Sequence, residues 1–224
     1  MGAAGVSVIT PFRYLLLDAN ILAGYYAPET LSKHAAEAGP RIRTIIDSIR
    51  KGCTADLRLL VPEICVAEAQ TVLSKHANPK WKGKQSGKRK DPQSIDMRKY
   101  RRITEEMAAD LHGARLIESI PLQRYHVLAK HLITPVDHHT RIPNAAGTDH
   151  TKAIGGTDEL ICGMAIWLNR FLGGDRVLVV TADYRMAKVL SKARTLTEKQ
   201  IEDWGINKKA EESIGFAWDP GIYP

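Results

Sequence analysis

Apolar and polar positions along the chain fall into two alternating kinds of segment. Short apolar runs that stop at a polar residue read as buried strands: Arg13–Leu17 (RYLLL), Leu57–Val61 (LRLLV) and Arg176–Thr181 (RVLVVT), with Leu116–Leu122 as a shorter candidate. Between them lie stretches with helical spacing. Asn20–Tyr26 follows the first strand. Ile42–Ile49 places apolar residues at 42, 45, 46 and 49 and stops at Gly52. Glu63–His76 follows Pro62, a residue suited to a first helical turn. Ser94–His112 spaces Ile95, Ile103, Met107 and Leu111 along one face. Gln123–Ile133 and Tyr184–Lys192 are further helices, and Thr157 can cap a helix over Asp158–Phe171. That last helix is apolar nearly all round, which predicts burial. Thr134–Gly156, with Pro135, Pro143, Gly147, Gly155 and Gly156, reads as an irregular loop. The tail after Arg194 mixes polar helix and turn and is the hardest part to read.

Strand and helix in alternation predict an α/β fold with a parallel central sheet and helices on both faces. The 224 residues are read as a single domain, 1–224, carrying a basic insertion at about 75–102 and the irregular loop at about 134–156. In such sheets ligands bind beyond the carboxyl ends of the strands.

Charge changes this picture, because it is uneven. The net charge is +7, yet Lys75–Arg102 alone holds eleven Lys or Arg against Asp91 and Asp96, so the remainder is net negative. Concentrated positive charge binds polyanions by releasing their counterions, which makes nucleic acid the leading partner. A merely solvated loop is the alternative. Within the segment, Lys80, Lys82, Lys84, Lys88, Arg89, Lys90, Arg98, Lys99, Arg101 and Arg102 are candidate phosphate contacts. Trp81 either stacks on a base or pins the loop to the body. The longest apolar run, Leu160–Leu168, has nine residues, about half of the ~18 a membrane span requires. Three scattered cysteines, Cys53, Cys65 and Cys162, argue against disulfides and a zinc cage and suit a reducing cytoplasm.

The strand ends carry acids. Asp18 closes the first strand (LLLDANIL), Asp183 follows the last (VLVVTAD), and Asp158 opens the apolar helix (GGTDELICGMAIWL). Glu68 (VPEICVAEAQTVL) has Ile64 one turn before it and Val72 one turn after, so its line on the helix is otherwise apolar. Grouped carboxylates repel and take up protons unless a cation compensates. No Lys, Arg or His adjoins any of the four in sequence. Oxygen-only donors favour Mg²⁺ or Mn²⁺, ions that also bind phosphate. Each acid also has a plain structural role open to it: helix cap, turn residue or ion-pair partner.

The ordered set resembles the PIN-domain nucleases. Asp18-Ala19-Asn20 matches the Asp-x-Asn/Ser/Thr after the first strand, and Ala67-Glu68 matches the helical Glu in an apolar context. Asp158 matches the Asp opening a buried helix, and Thr181-Ala182-Asp183 matches the Thr-x-Asp after a strand. The resemblance covers Tyr14 to about Leu190. It implies a three-layer α/β/α sandwich and a metal-dependent nuclease that hydrolyses single-stranded RNA, with Asp18, Glu68, Asp158 and Asp183 as the catalytic, metal-ligating acids. Mg²⁺ or Mn²⁺ would lower the pKa of a bound water, leaving a 5′-phosphate and a 3′-OH. Asn20 and Thr181 would orient carboxylates and water by hydrogen bonds. Glu159 is expected on the surface, away from Asp158. Small members include toxins held by an antitoxin. An antitoxin-like inhibitor and a homodimer are therefore open as partners, although the basic segment and the 134–156 loop are long for a toxin.

Two other classes remain. A non-catalytic RNA-binding protein of the same fold would use the acids structurally. A haloacid-dehalogenase-like phosphatase needs Asp-x-Asp after its first strand, and Asn20 cannot supply the second acid. His138, His139, Asp149 and His150 could bind a metal or substrate, but solvated loop residues are the preferred reading.

Overall fold

The computed structural model describes residues 13–27, 33–53, 57–78, 95–114, 116–140, 153–172, 176–194, 196–204 and 221–223. The fold is α/β, a three-layer α/β/α sandwich whose central sheet has the strand order β3-β2-β1-β4-β5. β1 is Tyr14–Leu17, β2 Arg58–Pro62, β3 Ile117–Ile120, β4 Val177–Val180 and β5 Gly221–Tyr223. β2 pairs in parallel with β3 and β4 with β5. The chain divides into two compact units, Leu17–Pro121 and the pair Met1–Leu16 with Leu122–Pro224.

Among the described residues, the Leu17–Pro121 unit holds the α-helices α1 (Ala19–Tyr26), α2 (Lys33–Arg50), α3 (Glu63–Ala77) and α4 (Met97–Leu111). Its core takes Leu59, Leu60 and Val61 from β2, Leu22 from α1, Ile46 from α2, Leu73 from α3, and Ile103 with Met107 from α4. A polar network ties three helices. Asp110 accepts hydrogen bonds from the Tyr26 hydroxyl (2.7 Å) and the Arg50 guanidinium, and Arg50 also lies over the Tyr25 ring. Burial, reinforced by Asp110, pushes the Tyr26 hydroxyl far above its ordinary pKa, so it stays a donor. Gly52 ends α2 at φ +72°, a conformation that side chains with a Cβ rarely adopt.

The second unit holds α5 (Arg124–Thr140), α6 (Gly156–Phe171), α7 (Tyr184–Arg194) and α8 (Glu198–Asp203). α6 is buried along most of its length, as its composition predicts, through Ile161, Cys162, Met164, Ala165, Ile166 and Leu168. It lies close against α5 at Gly163, where a Cβ would stand 2.6 Å from the His126 carbonyl oxygen. Asn169 then joins the end of α6 to β4. Its Oδ1 accepts the Arg176 and Val177 N–H groups (3.0 and 2.8 Å), and its Nδ2 donates to the Val177 carbonyl at 3.2 Å.

Several expectations change. The irregular loop does not begin at Thr134, because α5 runs on to Thr140 with Pro135 inside it. Residues 129, 132, 133, 136 and 137 continue one buried face, and that burial outweighs the hydrogen bond that proline cannot make. Pro40 also lies inside a helix, α2. Pro62 ends β2 and caps α3 rather than entering it. The tail carries the polar helix expected there, α8, closed by a Thr197/Gln200 capping box, and adds β5. Cys65 and Cys162 are buried core residues and Cys53 is exposed. Among the described residues, no helix is long and apolar enough to cross a membrane.

Candidate acidic site

In the Leu17–Pro121 unit, Asp18 is the first residue after β1 and is only 3% exposed. The apolar strand brings it inside, and the polar end of a helix makes that position tolerable. Asp18 is the N-cap of α1: its Oδ1 accepts the Ala19 N–H at 2.6 Å, and its carbonyl accepts the Leu22 N–H at 3.0 Å. Asn20 sits in the first turn of α1 and is exposed. Glu68 departs from its expected setting. The buried line of α3 is Cys65, Ala69, Leu73 and His76, and Glu68 is exposed beside it. Ile64 and Val72, which frame it in the sequence, are themselves only half-buried.

In the second unit, Asp158 occupies the third position of α6. Its Oδ2 accepts the Gly155 N–H at 3.0 Å, the reach-back half of a capping box, so Asp158 rather than Thr157 closes the helix start. A Cβ on Gly155 would lie 3.0 Å from that same oxygen, a tight contact that the Asp158 side chain would have to relieve by a small shift. Asp183 precedes α7, and its Oδ1 accepts the N–H groups of Arg185 (2.7 Å) and Met186 (3.3 Å). Thr181, buried at the end of β4, accepts the Asp183 N–H on Oγ1 at 3.0 Å and so shapes this turn. Three of the four predicted acids thus stand at helix starts, each with a carboxylate oxygen on backbone amides.

Glu159 does not lie on the surface as expected. It is 9% exposed, pairs with Lys130 Nζ at 2.6 Å and accepts from Thr134 Oγ1 at 3.4 Å. Beside Asp183, Arg185 carries a cation to the buried Asp137 at 2.7 Å. Sequence reading missed Asp137 because Pro135 disguised the helix. Its signal was an acid four residues after Ile133 and eight after Ala129, on a helical line otherwise apolar.

His138 and His139 lie on α5, not in a loop, and both are exposed. His139 stacks on Trp204 at 4.5 Å. Asp149 and His150 lie outside the described residues. So do Lys80, Trp81, Lys82, Lys84, Lys88, Arg89 and Lys90. Arg98, Arg101 and Arg102 are exposed on the first half of α4, and Lys99 beside them is half-buried.

The donor chemistry of four carboxylates suits a hard dication. Among the described residues, however, no three His, Cys, Asp or Glu side chains are grouped so as to hold a metal ion. Backbone amides already satisfy an oxygen of each aspartate. Comparison with protein-family models, curated proteins and solved structures finds no match to this chain.

Proposed function

We propose that the chain is a PIN-like, metal-dependent ribonuclease that hydrolyses phosphodiester bonds of single-stranded RNA. Asp18, Glu68, Asp158 and Asp183 are its acids in this reading, and Mg²⁺ or Mn²⁺ is its ion. The carrying observation is the placement of the three aspartates: each meets the start of a helix through backbone amides, which fixes its orientation before any ligand arrives. Fixed orientation is what catalysis by positioned charge requires. Thr181 holds the Asp183 turn, and Asn20, exposed in the first turn of α1, is available to solvent or substrate. The exposed arginines at the start of α4 would grip phosphates without selecting sequence. Cytoplasmic residence, a homodimer and an antitoxin-like inhibitor belong to the same proposal.

One observation favours a second reading. The same three aspartates are also accounted for as helix caps, as in a non-catalytic RNA-binding protein. Asparagine separates the two, since it caps a helix about as well as aspartate but carries no charge. The test is cleavage of single-stranded RNA with Mn²⁺, comparing the wild type with Asp18→Asn and Asp183→Asn. Ribonuclease action predicts cleavage by the wild type and its loss in both folded variants. Binding without cleavage in all three sinks it.

A further inference from the structure

A buried carboxylate, Asp137, stands in the same unit as Asp158 and Asp183. This residue lies on the buried line of α5 and is fully enclosed. A carboxylate enclosed there needs partners, and two meet at one oxygen. Arg185 Nη2 lies 2.7 Å from Oδ1, and the Ile154 N–H donates to the same Oδ1 at 3.3 Å. Each partner is attached to one candidate acid. Ile154 directly precedes Gly155, whose N–H holds Asp158 Oδ2. The backbone N–H of Arg185 holds Asp183 Oδ1. A continuous chain of contacts therefore runs from Asp158 through Gly155, Ile154, Asp137 and Arg185 to Asp183.

We propose that Asp137 is a positioning residue that sets the Asp158 and Asp183 carboxylates relative to one another; its catalytic consequence rests on the ribonuclease reading. The start of α6 and the start of α7 come from separate parts of the chain. Apolar packing brings such segments together without directional preference. A charge-assisted hydrogen bond adds direction and length. The planar guanidinium of Arg185 fixes its end of the link in a way that a lysine ammonium would not.

The test uses the full chain with Asp137→Ala, Asp137→Asn and Arg185→Lys, and Met107→Ala as a core-weakened control from the other unit. Amide hydrogen exchange is read at residues 155 and 185, and single-stranded RNA cleavage is measured with Mn²⁺. Asp137→Ala is expected to lose roughly tenfold or more of the protection at both amides, since the carboxylate holding each segment is gone. Its kcat should fall about 100-fold, as for an ångström-scale misplacement, with KM nearly unchanged. Asp137→Asn keeps an oxygen acceptor and should restore most of the protection and part of kcat. Met107→Ala should lower Tm while sparing both amides and kcat. The proposal is overturned if Asp137→Ala keeps wild-type protection and kcat, or if Met107→Ala reproduces its pattern. Should the wild type neither cleave RNA nor bind Mn²⁺, the ribonuclease reading fails. The exchange data then decide on the positioning link alone: selective loss upholds it and unchanged protection ends it. Should Asp137→Ala not fold, Arg185→Lys carries the test, with weakened protection at 155 and 185 expected and wild-type protection overturning it.

Discussion

A single carboxylate here has two separable duties, and substitutions can pull them apart. Replacing Asp183 by Ala removes the acceptor for two amides at the start of α7 and should cost about 0.5–2 kcal/mol in chemical denaturation. Replacing it by Asn should leave stability within a few tenths of a kcal/mol. Both changes should reduce RNA cleavage by about 100-fold or more if the acid is catalytic. His126 offers a second residue-scale prediction. Burial holds its pKa down to about 4, from an ordinary 6.5. The unfolded chain therefore binds the proton first as pH falls below 6.5. Stability is fully present above that value and is lost toward pH 4, by about 1.4 kcal/mol per unit within the window. Tm measured against pH should show this acid limb, and His126→Phe should flatten it. The sequence shows Asp18 and Asp183 just beyond apolar strands and Asp158 at the opening of an apolar helix, since such runs are visible in one dimension. It does not show which amides an oxygen meets, and Glu159 illustrates why. Its turn of helix points it toward Lys130, a partner 29 residues away in the chain.

Helices and strands were legible where periodicity was strong and opaque where proline interrupted it. α6 and β4 could be placed almost to the residue because both are buried and apolar. α5 was cut short at Ile133 because Pro135 and the polar HHT end suggest a loop, whereas Val136 and Asp137 continue the buried face. The exposure of Glu68 teaches the converse. Neighbours one turn away fix a side chain's line on the helix, but tertiary packing decides which line turns inward. Two contacts between elements give tests. At Gly163→Ala, the new methyl meets the α5 backbone, and the strain of separating the helices should exceed the gain in helix propensity of about 1 kcal/mol. A lowered Tm is expected, and a raised one would contradict the close approach. Asn169→Leu leaves two N–H groups and a carbonyl at the β4 start without this partner. A loss of about 2–4 kcal/mol in denaturant unfolding is expected, since each buried group costs about 1–3 kcal/mol.

Across the whole molecule, charge is the property most exposed to experiment. The chain carries +7 overall, and eleven of its 32 Lys and Arg are crowded into Lys75–Arg102. If that stretch tracks RNA, affinity must fall steeply with salt. Changing Arg98, Arg101 and Arg102 together to Gln should then flatten the plot of log affinity against log salt by about 0.7 for each phosphate no longer neutralised. An unchanged slope would leave α4 out of the interface. The parallel architecture was legible from strand–helix alternation alone. A grouped set of ligands was not something the sequence could establish, because periodicity fixes the line a side chain occupies along an element and not its distance from residues remote in the chain. Helix capping by the aspartates has a further consequence at this scale. In a population of variants screened only for folded, abundant protein, Asn should accumulate freely at positions 18 and 183 while Ala is purged. Retention of the negative charge under a second screen, for turnover of RNA, would then measure chemistry with the fold subtracted out.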